Sequence, residues 1–377
     1  MKTLPPVSRA LLFIALFYCA DLPAQILLKG NSEGMAYQVE LVAEGFSIPW
    51  GMSFINNGLL LVTERPGSLK QLNITNGEIT SVSGVAKVAA NGQGGLLDIQ
   101  TSPDYATDRW LYFTYSKAQA SGATTTLARA RLENNQLVDW QDLLITASAS
   151  NSGQHFGSRI AFDYKGHVFF GVGDRGERDN SQNLQNHAGT IVRLKLDGTV
   201  PKDNPFTGQN NALPEIWSYG HRNPQGLAFD SMRNRLWEIE HGPRGGDEIN
   251  IIEAGKNYGW PVISYGKEYW GPFDVGDEEK AGMEQPFKYY VPSIAPGSLI
   301  VYRGEAFPKW RGDLFAGALV LTHLNRIKLD ASGKELNEER LLTELEERIR
   351  SLAISEQGFI YLGTDSGKIL RIVPARE

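Results

Sequence analysis

One pattern recurs along this chain and restricts its fold more than any other feature. A short, dense run of apolar, β-branched and aromatic residues is entered through a turn and stopped by a small or acidic residue. It appears at Gly58–Glu64, Arg109–Tyr115, Gly166–Val172, Arg235–Glu240, Asp313–Leu319 and Gly358–Thr364. Several copies have an apolar strand upstream (Ile160–Asp163, Leu227–Asp230, Leu352–Ser355), and a further strand often follows (Ile191–Leu196, Ile369–Ile372). The copies lie roughly 45 to 80 residues apart, at or above the periods of repeat architectures. A small antiparallel sheet buries only one face by itself, and radial stacking of identical sheets covers both. The expected fold is therefore all-β: a six-bladed β-propeller of four-stranded antiparallel sheets, one domain over residues 25–377. A β-sandwich pair is the alternative, because sandwich strands also alternate and break at Gly and Pro. Only Glu335–Arg350 could pass for an amphipathic helix, and its Ile349, with Leu352 beyond it, fits a strand equally well.

The first 24 residues differ from the rest. Lys2 and Arg9 precede the apolar run Ala10–Ala20, and Ala24 is a small residue before a cut, the layout of a secretory signal. No later stretch reaches membrane-spanning length, so a soluble, exported protein is expected, periplasmic or secreted. The only cysteine, Cys19, lies in that segment, which leaves the mature chain without disulfide, thiol chemistry or a cysteine metal ligand. The 41% hydrophobic content excludes disorder, and a net charge of −6 gives no basic footprint for nucleic acid.

Gly171–Gly176 has the glycine spacing of a dinucleotide fingerprint and follows a strand. The polar Glu177–Leu184 after it has no helical stripe, so the helix N-terminus that motif needs is missing. Chemistry concentrates in other loops. Asn91–Gly95 lets backbone approach a ligand closely and offers the amide of Gln93. Gly153–Arg159 sets His155, the side chain best suited to proton transfer near neutral pH, just before a strand. Tyr219–Gly226 holds Arg222 and Asn223 between Gly220 and Pro224, a fork of donors suited to carboxylate or carbonyl oxygens. Glu240–Asn250 gathers three carboxylates, an amide and bare carbonyls, which suits an oxygen-seeking cation such as calcium. Arg348 and Arg350, two apart in a strand, share one face and need anions if that face is enclosed. Together the loops ask for an anionic, carbonyl-rich ligand bridged to calcium.

These motifs resemble the soluble, pyrroloquinoline-quinone-dependent aldose sugar dehydrogenases and soluble glucose dehydrogenases. The resemblance runs from about Gly45 to Arg371, and its most specific stretch is Gly220–Phe229, Gly242–Asn250 and Asn257–Pro261 in succession. It implies a six-bladed propeller that oxidises aldoses to lactones, with the quinone over the central channel and His155 as general base. Gln93, Arg222, Asn223, Arg348 and Arg350 then contact the quinone, and Tyr269 forms an aromatic wall beside it. Gly242 and Pro243 lend carbonyls to the calcium that bridges the quinone, and Glu248 and Tyr258, the latter through its carbonyl, bind a further structural calcium. The implied partners are an aldose and an external electron acceptor, with the protein a monomer or homodimer. Two positions depart from the family pattern. Asp174-Arg175 stands where a glutamine is usual, and Val320–Asn325 has no counterpart of a cofactor-contacting lysine. A calcium-dependent propeller lactonase, or an exported propeller that binds a sugar or protein without catalysis, remains an alternative from the residues alone.

Overall fold

Each of the six recurring segments forms the second strand of a sheet in the computed structural model, which describes residues 25–375. The segment read above as a secretory signal, with Cys19, lies outside those residues. Blade one consists of Pro49–Asn56, Leu59–Glu64, Ser68–Asn73 and Ile79–Val82, and blade two of Leu96–Thr101, Trp110–Gln119, Gly122–Glu133 and Gln136–Ile145. Blade three is Ile160–Phe162, His167–Val172, Thr190–Lys195 and Ile216–Tyr219, and blade four is Pro224–Asp230, Arg235–Glu240, Asp247–Ile252 and Lys288–Tyr290. Blade five is Pro296–Val301, Leu314–Ala318, Leu324–Leu329 and Glu335–Leu341. Every pairing is antiparallel, as where Ile160 faces Phe170 and Phe162 faces Val168.

Blade six departs from the four-strand rule. Its strands Ile349–Ile354, Ile360–Thr364 and Lys368–Pro374 come from the C-terminal end, and Met35–Glu44 and Ile26–Ser32 from the other end complete a five-stranded sheet. Pairing from Tyr37 with Pro374 to Glu44 with Lys368 closes the ring, aided by Arg371 Nε donating to Glu40 at 2.7 Å.

The dense apolar runs have a physical reason. A blade is covered on both faces, so its strands read as continuous apolar runs rather than as alternation. In Leu59–Glu64, Leu60 and Val62 pack toward blade six with Tyr361 and Ile369, while Leu61 packs toward blade two with Ile99 and Phe113. Equivalent seams join the other blades, the richest being Tyr302, Phe307, Trp310 and Phe315 against Tyr37, Leu352 and Leu362. Truncating a fully buried leucine in such a seam typically costs about 2–5 kcal/mol.

The ambiguous segment Glu335–Arg350 is no helix. Glu335–Leu341 is the outer strand of blade five, paired with Leu324–Leu329, and a short 3-10 turn follows at Thr343–Leu345. Leu342 and Glu346 both adopt positive φ (65° and 51°), which a right-handed helix cannot pass through. The dinucleotide-like Gly171–Gly176 leads into a 3-10 turn, Arg178–Gln182, with no α-helix behind it.

The innermost strand of each blade touches the innermost strands of both neighbours, so six of them line an axial channel. The loops that enter those strands, and the hairpins joining second to third strands, all lie at one mouth. That mouth carries the candidate site.

Candidate active site

His155 sits five residues before the inner strand of blade three, with φ at +52° and 9% of its surface exposed. The loop that presents it is tightly fixed. Its backbone N–H donates to Gln93 Oε1 at 2.8 Å, and Gly157 N–H donates to Asn223 Oδ1 at 3.2 Å. The close approach depends on glycine. A Cβ on Gly173 would lie 2.3 Å from the His155 carbonyl oxygen, and one on Gly92, at φ +59°, would lie 2.3 Å from the Gly153 carbonyl oxygen. Arg175, fully buried, lies with its guanidinium 3.5 Å from the Phe156 ring centre and bonds the carbonyls of Gln154, Ser152 and Ala123. It therefore braces the loop from behind.

The imidazole Nδ1 lies 2.6 Å from Asp174 Oδ1. Asp174 is fixed by two further donors, Gly176 N–H to Oδ1 at 2.7 Å and Trp260 Nε1–H to Oδ2 at 2.8 Å. Burial pushes this carboxyl up, but the bonds from His155 and Gly176 and the Arg222 charge outweigh it, and Asp174 ends below the ordinary carboxylate range. An ionised carboxylate only accepts, so Nδ1 of His155 carries the proton. The neutral ring then has its lone pair on Nε2, the tautomer a general base requires.

Around His155 the site groups come from other blades. Glu240 Oε2 accepts the backbone N–H groups of both Arg222 (2.5 Å) and Asn223 (3.0 Å), so a buried carboxylate shapes the turn that carries them. Arg222 donates to the His241 carbonyl at 3.0 Å and lies 5.3 Å from the Trp260 ring centre, while its Nε is buried without a partner among the described residues. His241 bonds the Pro296 carbonyl at 2.7 Å. Burial, with Arg222 and Arg350 nearby, pushes its imidazole down to about 3, so it is neutral. Arg348 and Arg350 do converge, as the two-residue spacing implies, but both reach Asp365: Arg348 Nε at 2.9 Å, Arg350 Nε at 2.8 Å and Nη2 at 2.9 Å. Asp365 supplies part of the negative charge these arginines need. Tyr269 stands apart, 65% exposed on a hairpin at the rim. Its neighbour Glu268 holds Arg178 through two bonds of 2.6 and 2.7 Å.

The Gly242–Pro243 turn is stapled by Asp247, whose Oδ1 accepts from Gly242 N–H at 2.9 Å and whose Oδ2 accepts from Ala295 N–H at 2.7 Å. That carboxylate of the acidic loop is therefore occupied by backbone. The others behave differently. Strand pairing sets Glu240 opposite Glu248 and Glu238 opposite Asn250, all on one face of blade four. Ligand atoms of His221, Glu238 and Glu240 lie within 4.8 Å of one another, and His221 stacks on Tyr258 with ring centres 4.8 Å apart. Burial and the neighbouring Glu240 charge push Glu238 and Glu248 well above the ordinary carboxylate range. Glu238 Oε1 and Asn250 Oδ1 have no partner among the described residues. Buried, unpaired oxygens of this kind fit a hard cation. Tyr258 has its hydroxyl committed to Ile251 O (2.5 Å) and Glu253 N–H (2.9 Å), so its carbonyl is what it has left to offer.

Asp174, Trp260, His241 and Asp365 complete the site and were not identified as site residues from the sequence. Asp174 left a trace there as a departure from the family pattern, and His241 and Trp260 lay inside the singled-out stretches Glu240–Asn250 and Asn257–Pro261, while Asp365 left none.

The family model described as glucose/sorbosone dehydrogenase matches residues 46–371. The aldose sugar dehydrogenase YliI of Escherichia coli is 39% identical over 346 residues, covering 89% of this chain and 92% of that protein. A crystal structure of the soluble aldose sugar dehydrogenase from Escherichia coli, in the apo form, superimposes with a TM-score of 0.86 at 37% identity over 90% of this chain and 100% of the other. A PQQ-bound aldose sugar dehydrogenase from Streptomyces coelicolor gives 0.75 at 27% identity, over 89% and 98%.

Proposed function

The chain belongs to the glucose/sorbosone dehydrogenase family, and on that premise we propose that it is a pyrroloquinoline-quinone-dependent aldose sugar dehydrogenase, oxidising the anomeric carbon of an aldose to give a lactone. The observation that carries this reading is the His155–Asp174 pair, a base fixed in the right tautomer within an arginine-lined mouth. When bound, the quinone supplies the hydride acceptor, and calcium beside it supplies the Lewis acid that polarises its carbonyl.

The chain's own residues do the rest. His155 Nε2 takes the proton of the anomeric hydroxyl as that carbon gives up its hydride. Asp174 keeps the ring oriented and stabilises the imidazolium that forms. Arg222, Arg348 and Arg350 would neutralise the cofactor's carboxylates. Arg222 has a buried Nε with no partner among the described residues, which supports that role. Gln93 and Asn223 border the same space, with Tyr269 at its rim. Carbonyls of Gly242 and Pro243 would hold the calcium next to the quinone. Glu248 and the Tyr258 carbonyl, with the neighbouring carboxylates of blade four, would hold a second, structural calcium. Export, an external electron acceptor, and the absence of nucleic-acid or membrane-spanning partners belong to the same reading. No helix among the described residues is long and apolar enough to cross a membrane.

The test is dye-linked oxidation of an aldose panel by purified protein, with and without added quinone and calcium. Activity that needs both, and that His155→Ala abolishes while quinone still binds, is the expected result. Failure to bind quinone in the presence of calcium would overturn it, and lactone hydrolysis would be the next assay.

A further inference from the structure

Arg159 lies four residues after His155 and immediately ahead of the inner strand of blade three. A guanidinium has five N–H donors in a rigid planar fork, and Arg159 uses all five. Nε donates to the Gln225 carbonyl at 3.1 Å in blade four. Nη1 donates to the Trp50 carbonyl at 2.7 Å in blade one and to Asp98 Oδ1 at 3.1 Å in blade two. Nη2 donates to the Gly297 carbonyl at 2.5 Å in blade five and the Arg350 carbonyl at 2.7 Å in blade six. One side chain thus bonds the innermost strand of every other blade. The Trp50 ring covers it, 3.9 Å from the guanidinium carbon, and the second oxygen of Asp98 accepts the N–H of Ile160 at 2.9 Å. Arg159 is 6% exposed and Asp98 2%.

The acceptors share a level. Trp50, Gln225, Gly297 and Arg350 are each the second residue of their inner strand, and Asp98 is the third. The site groups occupy the adjoining level: Gln93 before Leu96, Arg222 and Asn223 before Pro224, Arg348 and Arg350 about Ile349. Below Arg159 and Asp98 opens a cavity of about 530 Å³ toward the far mouth.

We propose that Arg159 is a positioning residue for the reaction: by tying the first residues of all six inner strands to one cation, it fixes the spacing of His155, Gln93, Arg222 and Arg350 and closes the floor of the quinone pocket. This rests on the dehydrogenase reading given above. Catalytic groups supplied by four different blades have no local structure that sets their separation, and displacement of about 1 Å can cost roughly a hundredfold in rate.

The experiment compares Arg159→Lys with Arg326→Lys. Arg326 is as deeply buried and as fully paired, with Asp313 at 2.6 Å, Glu339 at 2.6 Å and Glu33 at 3.1 Å, but it serves blade five and the first hairpin. Lysine keeps the charge in both and offers three donors instead of five. Both variants should melt earlier than wild type. Arg159→Lys should also lose about 10- to 100-fold in kcat and about tenfold in quinone affinity, and shift the His155 imidazole titration followed by NMR in quinone-free protein. Arg326→Lys should leave all three within about twofold of wild type. If Arg159→Lys does not fold, Arg159→Met combined with Asp98→Asn removes both charges together and carries the same readouts. An Arg159 variant that melts earlier but keeps kcat, quinone affinity and the His155 titration overturns the proposal. If wild type takes up no quinone, the dehydrogenase reading falls, and the His155 titration still decides whether Arg159 positions that residue.

Discussion

The two mouths of the axial channel are formed by the same six strands and have little chemistry in common. At one, the inner strands begin, and His155, Arg222, His241, Asp174 and Asp365 crowd together under loops with several residues at positive φ. At the other, the inner strands end in short hairpins such as Asp163–Gly166 and Ser231–Asn234, whose Asp163 and Asp230 accept from their own turn's backbone. The far cavity is lined by Phe54, Thr101, Phe162, Tyr164, Arg303 and Glu356. It has volume and some charge, but among the described residues its lining holds no histidine, and its arginines, Arg159 and Arg303, bond separate partners. The difference lies in the connections. A hairpin joining adjacent strands of one blade needs about four residues, whereas chain passing between blades or bulging from a second hairpin has length to spare for ligands.

Removing the proposed base should break the contrast most severely. His155→Ala is expected to lower kcat by about 10²–10⁴-fold with quinone binding intact. Asp174→Asn, which turns an N–H toward Nδ1 and so favours the wrong tautomer, should fall in the same range; steady-state kinetics across pH reads both.

Calcium comes next. At a concentration one hundred times its Kd, a bound ion adds about 2.7 kcal/mol to stability, so a chelator should lower the melting temperature by that equivalent. Glu238→Gln with Glu248→Gln should remove the part of the chelator's effect that belongs to the structural ion of blade four. In chelated protein the sign is fixed. Carboxyls that titrate higher folded than unfolded contribute stability below the ordinary carboxylate value and lose it as pH rises, so the metal-free protein should gain stability on mild acidification.

Asp365→Asn should cost roughly 1–3 kcal/mol, less than a fully buried pair because Arg348 is half exposed. Burial pushes the Asp365 carboxyl up, but Arg350 and Arg348 outweigh it and leave it below the ordinary value. Its contribution is therefore complete above the unfolded value and lost as pH falls through the depressed folded one. Acid denaturation curves of the variant should be flatter there. The smallest effect belongs to the far mouth: Arg303→Ala and Tyr164→Ala should leave kcat and quinone affinity unchanged and move stability by about 0.5 kcal/mol or less. A large loss of activity there would end the one-mouth picture.

The sequence was most legible where a residue's neighbours along the chain dictate its state. The six second strands stand out because a blade buried on both faces demands uninterrupted apolar residues. His155 and the Arg222-Asn223 pair were visible because glycine and proline set them off in turns before strands. Glu335–Arg350 was not legible, since an outer strand with both faces polar has no period to read, and its pairing with Leu324–Leu329 settles it. Asp365 was missed because an aspartate in a turn after a strand is ordinary until two arginines fifteen and seventeen residues away are found upon it.

The chain by itself therefore indicated the number of blades and which loops gather polar groups, because these follow from local hydrophobic pattern and turn residues, while the closure of blade six by the first two strands was not legible. Tertiary structure decided which groups meet. Trp260 reaches Asp174 across 86 positions, and Arg159 reaches Arg350 across 191. Such contacts exist only once the ring has closed, since the separation between blades is set by the packing of the six seams and by no short stretch of sequence.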